Sequence, residues 1–199
     1  MGSASSVEEV GQTAVLTDEL MDDYLQLSYL SRKEISRIHK RMQHLVGEDE
    51  FTVVQRVPWE SVLDAFPEIR ANPFVDRLCE VFSSKKDNCV SFEDMLDLFS
   101  ALAPSCPVEC KAKWAFRIFD FNDSNALETE DLHELIDRLT NGKVIREDGK
   151  YLSETEKQHI IDIIMSEVDL DFTGSIVTVE FVHAVSKMPD FCSSFTLKL

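Results

Sequence analysis

Two acidic stretches, 120–131 and 169–180, constrain this chain more than its other features do. Each has the length of a loop that wraps a hard cation in about six to eight oxygens, with oxygen-bearing side chains at its first, third, fifth and last positions. In 169–180, Asp169, Asp171 and Thr173 supply side-chain oxygens and Ser175 a backbone carbonyl. Gly174 makes the sharp turn, and Glu180 has the reach to bind through both carboxylate oxygens. Val177 stands at the ninth position, so a water is expected on that side. The stretch 120–131 is a looser version: Asp120, Asn122, Ser124 and Glu128 offer side-chain oxygens, Ala126 a carbonyl, and Asp131 closes the loop. Asn125 replaces the turn glycine, which is tolerable because Asn visits left-handed backbone angles more readily than other non-glycine residues. Asp131 is one methylene shorter than Glu and gives one oxygen more readily than two, which favours the six-fold geometry of Mg2+. The expectation is a Mg2+/Ca2+ site at 120–131 and a more Ca2+-selective one at 169–180, as in paired EF-hands.

A single loop of this kind is also what an Asp/Asn-rich surface turn looks like, so repetition decides. Ahead of the two loops stand Ala112, Ala115, Phe116 and Phe119, and Ile161, Ile164, Met165 and Val168; Val75, Leu78, Cys79 and Phe82 have the same spacing. Behind the loops the spacing returns as Trp59/Val62/Leu63/Phe66, Met95/Leu98/Phe99/Leu102, Leu132/Leu135/Ile136/Leu139 and Phe181/Ala184/Val185/Met188. Each set is one apolar helix face. The eighth loop residues, Val54, Val90, Leu127 and Ile176, are all apolar, as short strand pairing between neighbouring loops requires. The fold predicted is all-α: four helix-loop-helix units in two lobes of paired EF-hands, with loops starting near Gly47, Ser83, Asp120 and Asp169. The fourth start comes late, which places an insertion at 141–152 before a Ser153/Glu156 capping box. Prolines 104 and 107 divide the lobes. The division is a flexible tail at 1–16, an amino-terminal lobe at 17–103, a carboxy-terminal lobe at 107–188 and a helical extension at 189–199. The first two loops lack ligands: Gly47, Phe51 and Pro58 stand at ligand positions of one, Lys85 at the third position of the other. Only the carboxy-terminal lobe is expected to sense metal.

A net charge of −17 excludes a nucleic-acid footprint and favours cations and basic helical partners. No apolar run approaches the roughly 20 residues that span a bilayer, and no signal peptide is evident. Five cysteines without paired spacing read as free thiols. At the amino terminus, Gly2 with Ser6 fits the pattern for myristoylation, which a plain Gly/Ser tail would also match. The helix expected at 31–46 opens with a Ser31/Glu34 capping box and carries Arg32, Lys33, Arg37, Lys40 and Arg41 against one acid. A basic patch is the usual second signal beside one acyl chain, so this helix is a candidate membrane contact, or simply a solvated face. Beyond Met188, Phe191, Phe195 and Leu199 fall on one helical face, suited either to occupy the lobe's groove in cis or to dock there as permanent core.

Together these residues resemble the calcium- and integrin-binding protein family over nearly the whole chain. The likeness is densest at 67–74 (PEIRANPF), 81–83 (VFS), 91–94 (SFED) and 115–121 (AFRIFDF), and at Pro189 to Phe191 with Ser194 and Phe195. An aspartate closing the third loop, here Asp131, is also a family feature. The resemblance implies a cytoplasmic, peripherally membrane-associated adaptor, not an enzyme. Its expected partner is an amphipathic helix of a membrane protein, such as an integrin alpha tail or a mechanotransduction channel, and in the family the carboxy-terminal segment can be displaced by the target. Asn125, Val177 and the insertion depart from the pattern and suggest a divergent member. Rival readings are a calcineurin-B-like regulatory subunit of an enzyme and a passive Ca2+ buffer. Catalysis has no support, because no nucleophile elbow, phosphate-cradling glycine loop or zinc-protease motif is present.

Overall fold

The computed structural model describes residues 16–47, 51–140, 152–188 and 190–197. Gly2, nearly all of the 141–152 segment and Leu199 therefore lie outside the described residues. The amino-terminal lobe holds α1 (Asp18–Leu27), α2 (Arg32–Val46), β1 (Val57–Pro58), α3 (Trp59–Ala65), α4 (Pro67–Arg70), α5 (Val75–Phe82), β2 (Cys89–Val90) and α6 (Phe92–Ala101). The carboxy-terminal lobe holds α7 (Val108–Phe119), α8 (Thr129–Thr140), α9 (Glu154–Val168), α10 (Thr178–Val185) and the short α11 (Phe191–Ser194).

Helix boundaries follow local chemistry. Thr17 caps α1, and reciprocal capping boxes open α2 (Ser31/Glu34), α6 (Ser91/Asp94) and α9 (Ser153/Glu156). Pro67 ends α3 and opens α4, since it lacks the N–H that a continuing helix needs. Each apolar face then packs inward: Ile35, Ile38 and Met42 of α2 are fully buried with Phe66, Ile69, Leu98 and Phe99. The lobes pack on one another through Phe82 stacked on Trp114 (centroids 4.6 Å) and Phe74 against Phe119 (5.3 Å).

Strand pairing departs from expectation in one place. Val90 pairs antiparallel with Val57, three residues beyond the anticipated Val54, which is 63% exposed. The first loop is longer than the others by that amount, and Trp59 N extends the pairing by donating to Asn88 O at 2.9 Å. Pairing two loops in one sheet constrains where the ladder falls, and the sequence shows only that an apolar residue must stand there.

Candidate functional site

The fourth loop is wound by its own backbone amides. Thr173 N donates to Asp169 Oδ1 (3.1 Å) and Gly174 N to Asp169 Oδ2 (2.8 Å). Leu170 N and Val177 N donate to the two Glu180 oxygens at 2.8 and 3.0 Å. Gly174 takes φ +86°, where a side chain would strain the turn. The result is that one oxygen from each of Asp169, Asp171 and Glu180 lies within 4.8 Å of the others. With the Thr173 hydroxyl donating to Ser175 O at 3.2 Å, all the converging donors are oxygens, a set that suits a hard divalent cation.

The third loop repeats this scaffold bond for bond. Ser124 N and Asn125 N donate to the two Asp120 oxygens at 2.9 Å each, and Phe121 N and Glu128 N to the two Asp131 oxygens at 3.0 Å each. Ser124 N also donates to Asn122 Oδ1 (2.9 Å), and the Ser124 hydroxyl donates to Ala126 O (3.0 Å). Asn125 adopts φ +64°, the left-handed turn that glycine makes in the fourth loop. The charge differs, however. Asn122 contributes an uncharged oxygen where Asp171 contributes a carboxylate, and the buried Arg77 guanidinium donates to Asp120 O (2.6 Å) and Asp123 Oδ1 (3.0 Å). A fixed positive charge beside the loop opposes cation entry.

The loops meet back to back: Leu127 N donates to Ile176 O at 2.8 Å, and Ile176 N to Leu127 O at 2.9 Å. Both side chains are buried and form part of the lining of an apolar groove of about 630 Å³, with Leu78, Leu102, Ile118, Leu132, Ile164 and Val185. Leu139, Met188 and Ile163, all substantially exposed, stand on its rim. The metal loops and the groove thus share the Leu127–Ile176 pair.

Phe191, Phe195 and Leu197 line the same groove from the tail. The long helical face expected through Leu199 is not what forms. Helix α11 covers only Phe191–Ser194, Phe195 leaves helical angles at ψ 61°, and Leu197 N donates to Leu102 O at 3.0 Å. The carbonyls that would continue the helix are taken by other donors. The Lys111 ammonium donates to Phe195 O (2.7 Å) and Cys192 O (3.4 Å), and the Thr196 hydroxyl also donates to Cys192 O. Lys111 Nζ reaches the Thr196 hydroxyl as well, at 2.8 Å. Lys111 is fully buried and sits in the α7 sequence as an ordinary charged residue, so the sequence carries no sign of this role.

Basic side chains of α2, including Arg32, Lys33, Arg37, Lys40 and Arg41, border a shallow concavity. Arg32 pairs with Asp18 and Asp22, and Arg41 with Glu68, while Lys33 and Lys40 are exposed. All five cysteines are free. Burial pushes the Cys106 thiol up to about 12 and the Cys79 thiol to about 11, which keeps both protonated and unreactive.

Helix-loop-helix units with back-to-back loops and an all-oxygen donor set define an EF-hand protein. A family model for an EF-hand domain pair matches residues 109–186. The chain is 33% identical over 196 residues to calcium and integrin-binding family member 2 of Drosophila melanogaster, covering 94% of this chain and 98% of that protein. The Homo sapiens protein of the same name is 32% identical over 190 residues, 93% of this chain and 97% of its own length. The chain belongs to the calcium and integrin-binding family.

Proposed function

We propose that this protein is a Ca2+/Mg2+-responsive adaptor, rather than an enzyme, that holds an amphipathic helix of a membrane protein in the groove of its carboxy-terminal lobe. The observation that carries the reading is the position of Leu127 and Ile176, which pair the two metal loops and line the groove. A change in loop geometry on metal binding is thereby a change in the groove wall. The tail residues Phe191, Phe195 and Leu197 act as an internal occupant that a target helix displaces. The relatives' names describe those proteins as integrin-binding, and an integrin tail is the partner type we assign here.

In this reading the fourth loop takes Ca2+ through Asp169, Asp171, Thr173, Ser175 and Glu180. The third takes Mg2+ more readily, because Asp131 is short and Asn122 and Arg77 leave it less negative. The protein works in the cytoplasm, and its basic α2 face, with an acylated Gly2, brings it to membranes. Calorimetric titration with Ca2+, alone and against millimolar Mg2+, tests the metal assignments, with Asp169→Ala as control. Two sites are expected, one Mg2+-competent and one lost in the control. An absence of binding would overturn the sensor reading. Binding of an apolar dye that does not change with Ca2+ would mark a buffer instead.

A further inference from the structure

The second loop, 83–94, has the backbone of the two metal loops, with Ser83 in place of the aspartate at the first position and Lys85 at the third. Its fourth and sixth residues, Lys86 and Asn88, are left-handed (φ +50° and +55°), as are Asp123 and Asn125 (+54° and +64°) and Phe172 and Gly174 (+57° and +86°). Its last residue, Asp94, accepts from Ser84 N (3.3 Å) and Ser91 N (2.9 Å), the same two bonds that Asp131 and Glu180 accept in their loops. Left-handed angles at Lys86 and Asn88 are costly for side-chain-bearing residues, so something must hold the loop wound.

The Arg56 guanidinium, from the segment before β1, stands at its centre. The two N–H groups of Nη2 are shared among Ser83 Oγ (3.0 Å), Asp87 Oδ1 (2.6 Å) and Cys89 O. Nη1 donates to Asp94 Oδ2 (3.0 Å) and Ser84 Oγ (3.0 Å), and Nε to Asp87 Oδ2 (3.0 Å). Ser83, Asp87, Cys89 and Asp94 are the first, fifth, seventh and twelfth residues of the loop. Those are positions whose oxygens an EF-hand turns toward its ion, the seventh through its backbone carbonyl. The side chains of Arg56 and Asp94 are 15% and 6% exposed. Hydrogen bonding to Arg56 holds the Asp87 carboxyl down at about 2. A guanidinium has five N–H donors in a rigid fork and carries its charge at any physiological pH, so it can collect several oxygens at once as a metal ion does.

We propose that Arg56 is the resident cation of the second loop. It keeps the loop in its filled conformation, excludes divalent ions from it, and makes the β1–β2 pairing and the amino-terminal core independent of metal. Responses to Ca2+ are then confined to the carboxy-terminal lobe, while the other lobe is permanently set.

The test is amide hydrogen exchange on the full chain, comparing EDTA with millimolar Ca2+. Exchange at Lys86 to Val90 stays the same in both, while exchange at Leu170 to Val177 slows in Ca2+. Slowing of Lys86 to Val90 in parallel with the fourth loop would overturn the proposal, since a metal ion would then be entering. In Arg56→Ala, the second-loop amides exchange faster in EDTA by at least about tenfold, the equivalent of one hydrogen bond to a charged group. Millimolar Ca2+ recovers part of the protection through Asp87 and Asp94. Wild-type exchange rates in the EDTA-treated variant would also overturn the proposal. Should the variant not fold, the wild-type comparison decides alone.

Discussion

Replacing Lys111 by Met separates the tail from the core it rests on. Met keeps the apolar stem and removes only the ammonium, which bonds to Phe195 O, Cys192 O and the Thr196 hydroxyl. Burial already holds the Lys111 pKa below its usual value, which means that its charge is kept there at a cost. Removing that charge relieves that desolvation penalty in the helix core. Both tail carbonyls lose a bond, but unequally. With the tail docked and no ammonium, Phe195 O loses the Lys111 donor and Cys192 O keeps the Thr196 hydroxyl; an acceptor left unsatisfied costs about 1–3 kcal/mol when fully buried, an upper bound for these half-buried groups. Tail docking should weaken by about 1–3 kcal/mol, which is roughly 5- to 150-fold in its equilibrium constant. Amide exchange at Phe195 and Leu197, whose N–H groups bond to Phe191 O and Leu102 O, reads the docking directly. Faster exchange there, more binding of an apolar dye and an unchanged or raised melting temperature are expected. A lowered melting temperature with the tail amides still protected would refute the reasoning and make Lys111 a core residue.

Three further outcomes are expected. Asp131→Glu gives the third loop a second oxygen within reach and raises its Ca2+ affinity relative to Mg2+ in competitive calorimetry. Phe99→Ala, at a fully buried position against Phe66 (centroids 5.4 Å), costs about 3–5 kcal/mol in urea unfolding. His39 lies between Phe51 (5.2 Å) and Phe92 (5.4 Å), and burial lowers its pKa below 6.5. The unfolded state therefore binds more protons below that pH, so stability falls as pH drops through this range. His39→Phe should flatten the melting temperature between about pH 7 and 5.5, above the range where carboxylates titrate.

Much of the fold is legible because it repeats. Apolar faces recur at one register, and the capping boxes at Ser31 and Ser153 mark helix starts through residues three apart. The convergence of Asp169, Asp171 and Glu180 is legible for the same reason, since alternate oxygens in a short loop have few other uses. What is not legible depends on residues distant in sequence. Arg56 reads as an unremarkable loop arginine until the second loop closes on it, and Lys111 reads as the polar side of a helix until the tail folds back. The Val54/Val57 difference is of the same kind, because the ladder is chosen jointly by two loops.

The two metal loops are wired to different parts of the molecule. The third is held to the amino-terminal lobe: Arg77 of α5 bonds to Asp120 O and Asp123, and Arg138 of α8 pairs bidentately with Asp76 (2.5 and 2.8 Å) across the face of Phe121. These contacts fix the third loop against a lobe that Arg56 holds set without metal. The fourth loop is followed directly by α10, whose Phe181 and Val185 line the groove. A loop braced from outside has less freedom to change shape on filling, so occupancy of the fourth loop is expected to move the groove wall more than occupancy of the third. If it does, linkage runs both ways. A helix that binds the Ca2+-loaded groove more tightly by some factor must tighten Ca2+ at Asp169, Asp171 and Glu180 by the same factor, and a tail that favours the metal-free groove must weaken it.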